Sequence, residues 1–219
     1  MRSAEINSFD SKSLLIFDCD GVLVDSERIT NRIGQQLLAQ YGLSLSLADM
    51  DELFVGRSTP ECVEIVSRLL GHPPPSDYLE QFAKRTTEAW RKQLKPNPGV
   101  LQLLAALPLP YCVASNASHE ETRIKLRITG LLEKFDRRIF SGLDTPRPKP
   151  EPDVYLLAAK TMNASPSRCL VIEDSPVGVS AGVAAGMTVI GYAPTGNDTA
   201  LLKAGATHCI EQLTELIAQ

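Results

Sequence analysis

The sequence predicts an α/β fold: a Rossmann-like parallel-sheet core with an all-helical domain inserted after the first strand. Three observations point there. Short apolar runs recur at Leu14–Phe17, Tyr111–Ala114, Leu170–Ile172, Thr188–Tyr192 and His208–Ile210. Helical patterns separate them, which is the alternation of βαβ units. Between Ser26 and Lys95 the alternation stops, and helical patterns follow one another with no strand between them. A chain of 219 residues, 43% hydrophobic and 22% charged, suits a soluble core with such an insertion.

The first strand, Leu14-Leu15-Ile16-Phe17, is apolar throughout, as strands buried on both faces are. It runs straight into Asp18-Cys19-Asp20-Gly21. A buried strand carries acids cheaply only where it emerges, and ligands bind at the carboxyl ends of strands in open α/β sheets. Asp18 and Asp20 are therefore expected at the mouth of a site, close enough to share a metal ion and a substrate. Alternation along the extended segment turns Cys19 away from both.

The insertion follows. Ile29–Tyr41, Leu47–Phe54, Pro60–Leu70 and Tyr78–Leu94 have helical spacing and charged outer faces, punctuated by Gly42, Gly56 and Gly71-His72-Pro73-Pro74-Pro75. Residues 26–95 are read as the inserted domain, and residues 1–25 and 96–219 as the core. Lys95-Pro96-Asn97-Pro98-Gly99 is the return linker.

Three later segments share the grammar of an apolar run followed by polar residues. Tyr111–Ala114 ends in Ser115-Asn116, where a hydroxyl and nearby N–H groups can hold a phosphate oxygen. The alternative is a serine that caps the next helix. Asp144-Thr145-Pro146-Arg147-Pro148-Lys149-Pro150-Glu151-Pro152-Asp153 has alternating prolines that exclude a helix until after Pro152 and hold Lys149 stiffly. A plain linker or a proline-rich ligand for another domain competes with a placed lysine there. Leu170-Val171-Ile172 ends in Glu173-Asp174, with Ser175 suited to the N-cap and Pro176 to the first position of a helix. Two strands ending in carboxylates on one sheet edge make a hard-oxygen site for Mg²⁺.

Residues 175–197 lack charge, but Ser175-Pro176 and the following strand pattern argue against a membrane span. Gly178, Gly182 and Gly186, four residues apart, are expected to let the helix pack closely on the sheet. A net charge of -4 argues against a nucleic-acid partner. Cys19, Cys62, Cys112, Cys169 and Cys209 form no C-x-x-C pair, so buried thiols in a reducing cytoplasm are expected. The polar residues 1–13 carry no secretory signal pattern.

Taken in order, Asp18-x-Asp20-Gly21-Val22, Ser115, Lys149 and Glu173-Asp174 resemble the four motifs of the haloacid dehalogenase superfamily, and the insertion resembles its small helical cap. The resemblance covers almost the whole chain from Leu14. It implies that Asp18 is a nucleophile forming an aspartyl-phosphate and Asp20 the general acid and base. It implies a Mg²⁺ site from the Asp18 carboxylate, the Asp20 backbone carbonyl and Asp174, with Glu173 direct or through water. Ser115, Asn116 and Lys149 would bind phosphate, and Asp144 would orient Lys149. A dehalogenase would need neither the metal site nor Asp20.

In the insertion, Gly56-Arg57-Ser58 resembles the cap loop that reaches the substrate in sugar-phosphate members, and Arg57 could bind a carboxylate, a distal phosphate or a hydroxyl. Arg32 is a second candidate. The implied partner is a small phosphorylated metabolite, for a monomer or weak homo-oligomer without membrane attachment. β-Phosphoglucomutases share all four motifs but continue the first with Asp-Thr-Ala and then a histidine. Here Asp25-Ser26-Glu27 follows, with Thr30 at the histidine's place. The phosphatases of sugar phosphates, and among them those of 6-phosphogluconate, are the better likeness. A pyrophosphatase and a non-catalytic binding or regulatory protein are the remaining readings, and retention of every motif acid weighs against the latter.

Overall fold

The computed structural model of the chain describes residues 13–54, 57 and 59–217. The chain divides into two compact units, Met1–Val24 with Lys95–Gln219, and Asp25–Leu94. The first carries a parallel sheet of β1 (Leu14–Phe17), β2 (Tyr111–Ser115), β3 (Ile139–Ser141), β4 (Cys169–Glu173), β5 (Thr188–Tyr192) and β6 (His208–Ile210). Their order is β3-β2-β1-β4-β5-β6. Chain order reverses between β1 and β4, and the crevice outside such a switch point is where ligands bind.

Register places the acids there. Phe17 pairs with Ile172, and the Asp18 N–H continues the ladder to the Ile172 carbonyl at 3.0 Å. Asp18 therefore emerges beside the end of β4, where Glu173 and Asp174 stand. Both strands are buried along their whole length, as their unbroken apolar runs require. β3 was absent from the expected strands. It is only three residues long, too short for a period to show.

Helices of this unit are α5 (Val100–Ala106), α6 (His119–Ile128), α7 (Leu132–Phe135), α8 (Asp153–Thr161), α9 (Pro176–Ala184) and α10 (Thr199–Ala204), numbered after four in the inserted unit. The start of α8 directly after Pro152 is where the alternating prolines release the chain. Val154, Tyr155, Ala158, Ala159, Val179 and Ala181 pack with Ile16, Val171 and Val189 in one core cluster. A Cβ on Gly182 would lie 2.7 Å from Val189 Cγ2, so this glycine does let α9 approach the sheet. Gly186 does not serve that purpose: it lies past the helix at φ +72°, with nothing near an added Cβ, and makes the turn into β5.

The second unit holds α1 (Glu27–Gln40), α2 (Leu47–Phe54), α3 (Thr59–Leu70) and α4 (Tyr78–Gln93). Its core is Leu37, Leu38, Met50, Val66 and Tyr78, flanked by Tyr41, Phe54 and Phe82. Ser46 and Asp49 cap α2 reciprocally, with Ser46 Oγ accepting from the Asp49 N–H and the Asp49 carboxylate accepting from the Ser46 N–H. Among the described residues no helix is long and apolar enough to cross a membrane.

Candidate active site

Lys149 organises the sheet edge. Its ammonium donates to Asp18 Oδ1 at 2.6 Å, to Glu173 Oε1 at 2.8 Å and to the Ala114 carbonyl at 2.9 Å, which uses all three of its donors. It also lies 4.7 Å from the centre of the Tyr155 ring. Burial alone would favour the neutral amine, but Asp18 and Glu173 outweigh it and hold the pKa above its ordinary value. Lys149 is thus a fixed, buried positive charge, as its proline-stiffened segment suggested.

Asp18 is 8% exposed. Burial pushes its carboxyl up to about 7; Lys149 opposes the shift, while Glu173 and Asp20 add to it. Carboxylate oxygens of Asp18, Glu173 and Asp174 lie within 4.8 Å of one another. Three acids beside one lysine leave negative charge that a hard divalent cation would offset. Glu173 is otherwise well supplied with donors. Its Oε1 accepts from Lys149 and from the Tyr155 hydroxyl at 2.8 Å, and its Oε2 from the Asp174 and Ser175 N–H groups and the Ser175 hydroxyl. Ser175 Oγ in turn accepts the Gly178 N–H and caps α9, with Pro176 at its first position.

The loop after β1 is shaped for Asp174. Gly21 has φ +85°, and a Cβ there would fall 1.7 Å from Asp174 Oδ2. Only glycine meets both demands. The Gly21 N–H donates to the Val24 carbonyl at 2.8 Å, and the Asn97 side-chain amide donates to the Gly21 and Val22 carbonyls at 2.6 and 3.0 Å. Cys19 is fully buried between the two acids, where burial lifts its thiol well above the ordinary value.

Ser115 closes β2 with its hydroxyl accepting the Ala117 N–H at 3.1 Å. It does not cap α6; Ser118 does, by accepting from the Glu121 N–H. The Asn116 side chain binds the Lys149 peptide, donating to its carbonyl at 3.2 Å and accepting its N–H at 2.9 Å. That amide therefore positions the lysine backbone. Asp144 does not orient Lys149 as expected. It is exposed and pairs with His119 at 2.5 Å, because the short 3₁₀ turn that carries it points its carboxylate toward the start of α6. In the second unit, Arg57 and Arg32 are exposed, and the Arg57 N–H donates to the Phe54 carbonyl. Gly56 and Ser58 lie outside the described residues.

Sequence reasoning missed Lys125, Tyr155 and Asn97. Lys125 Nζ donates to Asp20 Oδ1 and contacts Glu121 Oε1, each at 2.6 Å, with the side chain 3% exposed. Burial pulls its pKa down, and the two carboxylates more than reverse that. Its signal was available: it occupies the buried stripe of α6 with Thr122 and Leu126, where an unpaired lysine would be costly.

Residues 12–186 match the family model of the haloacid dehalogenase-like hydrolases. A 6-phosphogluconate phosphatase of Escherichia coli is 32% identical over 176 residues, covering 80% of each chain. A phosphorylated carbohydrates phosphatase of Thermotoga maritima is 32% identical over 206 residues, covering 90% of this chain and 93% of its own. A family hydrolase of Deinococcus radiodurans, solved with phosphate and sodium, superimposes with a TM-score of 0.79 at 33% identity, covering 94% of both chains. With Asp18, Ser115, Lys149 and the Glu173-Asp174 pair gathered on one sheet edge, the chain belongs to the haloacid dehalogenase-like hydrolases and is a phosphatase among them.

Proposed function

We propose that the chain is a Mg²⁺-dependent phosphatase of a small sugar phosphate, working in the cytoplasm through an aspartyl-phosphate on Asp18. The observation that carries the reading is a buried carboxylate at the switch point, paired to a buried lysine, with a second acid two residues on that is paired to a different lysine. The two carboxylates are thereby given separate work. Asp18 attacks phosphorus and the bond from phosphorus to the sugar oxygen breaks. Asp20 gives that oxygen its proton. Asp20 then takes a proton from the water that attacks the phosphoryl group, the bond to Asp18 breaks, and inorganic phosphate leaves.

Lys149 offsets the charge that builds when carboxylate meets phosphate, from a position that needs no rearrangement. The Ser115 hydroxyl, at the end of β2, would donate to a phosphoryl oxygen. Asp18 and Asp174, with Glu173 and the Asp20 carbonyl, would hold the metal, and the clustered acid oxygens fit a hard cation. When bound, Mg²⁺ supplies positive charge to the phosphoryl oxygens. The substrate class is supported by the two phosphatase relatives, and a cationic Arg57 suits an acidic or polyhydroxylated leaving group. Free thiols throughout suit a reducing compartment.

The test is phosphate release from a panel of sugar phosphates, sugar-acid phosphates and diphosphate, with Mg²⁺ and with chelator. Turnover of sugar phosphates that needs Mg²⁺ and vanishes in Asp18→Asn, with phosphate trapped on Asp18 of the wild type, is expected. Preference for diphosphate, or conversion of β-glucose 1-phosphate to glucose 6-phosphate without phosphate release, would overturn it.

A further inference from the structure

We infer that Lys125 is a positioning residue for Asp20, holding the proton-transferring carboxylate through an ion pair shared with Glu121. The inference rests on the phosphatase reading above. Asp20 lies on a loop, and loop side chains have freedom that proton transfer cannot use. Its loop backbone is fixed by Asn97 and by the Gly21–Val24 bond, but these reach only the main chain. The side chain is held by Lys125 at 2.6 Å, from a helix 105 residues away in sequence. Lys125 is itself fixed, because the Glu121 carboxylate one turn earlier forms a second ion pair with its ammonium at 2.6 Å, and because its stem lies in the buried face of α6. Charged donors make short, directional bonds of this kind. Lys149, the other buried lysine of the site, directs its donors to Asp18, Glu173 and the Ala114 carbonyl. Each acid of the pair thus has its own cation.

The role predicts a leaving-group signature. p-Nitrophenolate departs from phosphorus as a stable anion and needs no proton. Phenolate from phenyl phosphate has nearly the same shape and gains more from Asp20. The experiment measures kcat/KM on both esters for wild type, Lys125→Met and Asp20→Asn, with folding followed by circular dichroism. Lys125→Met should lose about 10-fold or more on phenyl phosphate relative to p-nitrophenyl phosphate, a part of the roughly 10²–10⁴-fold that acid–base catalysis supplies. It should also accumulate phosphorylated Asp18 during turnover, since the same misplaced group must activate water. Equal losses on both esters, with Asp20→Asn still showing the split, would overturn the role of Lys125 alone. No split in Asp20→Asn would overturn the reading of Asp20 and the inference with it. If Lys125→Met does not fold, Lys125→Gln, which keeps a neutral donor, carries the same measurement.

Discussion

Replacing Gly178 by alanine adds one methyl group where the structure has no space for it. The new Cβ would lie 1.6 Å from Glu173 Oε1, 1.9 Å from Cδ and 2.3 Å from Oε2. Glu173 is not a flexible end that can swing aside. It is 1% exposed, and five donors hold it, namely Lys149, the Tyr155 hydroxyl, two backbone N–H groups and the Ser175 hydroxyl. Moving it separates a buried carboxylate from a buried lysine, which costs about 3–5 kcal/mol. Helix propensity works the other way, since alanine in a helix interior is better than glycine by about 1 kcal/mol. The net loss is then about 2–4 kcal/mol, and for a chain of this size each kcal/mol moves Tm by about 2–4 °C. Thermal unfolding followed by circular dichroism should show Tm lower by about 4–16 °C, with phosphatase activity lost as Lys149 shifts. An unchanged or raised Tm would mean that propensity decides the position and that Glu173 does not sit against α9 as described.

Arg57→Ala should lower kcat/KM on the best sugar phosphate by about 10- to 150-fold, the loss of one charged hydrogen bond of about 1.5–3 kcal/mol, while p-nitrophenyl and acetyl phosphate change little; no loss on any substrate would leave Arg57 a solvated surface residue. The thiols should divide by burial. Cys19, Cys112 and Cys169 are fully buried, and Cys62 and Cys209 are partly exposed. Burial raises the pKa of Cys19 and Cys112 well above ordinary values and that of Cys169 to about 11. Ellman's reagent at pH 8 should therefore titrate only Cys62 and Cys209 in the native protein and all five in denaturant. Rapid reaction of Cys19 in the native protein would contradict the closed loop around Asp18 and Asp20.

Much of the site was written in local sequence. An apolar run that turns abruptly acidic marks both a buried strand and its exit, so Asp18, Asp20, Glu173 and Asp174 could be placed at strand ends before any fold was known. Ser175-Pro176 announced the start of α9, and prolines at alternate positions marked a stiff segment around Lys149, where a plain linker still competed with a placed lysine. These signals are legible because each arises within a few neighbouring residues, from strand burial, capping or restricted φ. Tertiary structure alone decided who meets whom. The buried stripe of α6 says that Lys125 points inward, but not that Asp20, from a loop 105 residues earlier, waits there. Nothing local pairs the Asn116 amide with the Lys149 peptide 33 residues on, or the Tyr155 hydroxyl with Glu173. Asp144 shows the same limit in reverse, since it is near Lys149 in the chain yet turned to His119. Periodicity reports which face of an element is buried; which other element fills that face is set by strand order and register, and these emerge only when the whole sheet has assembled.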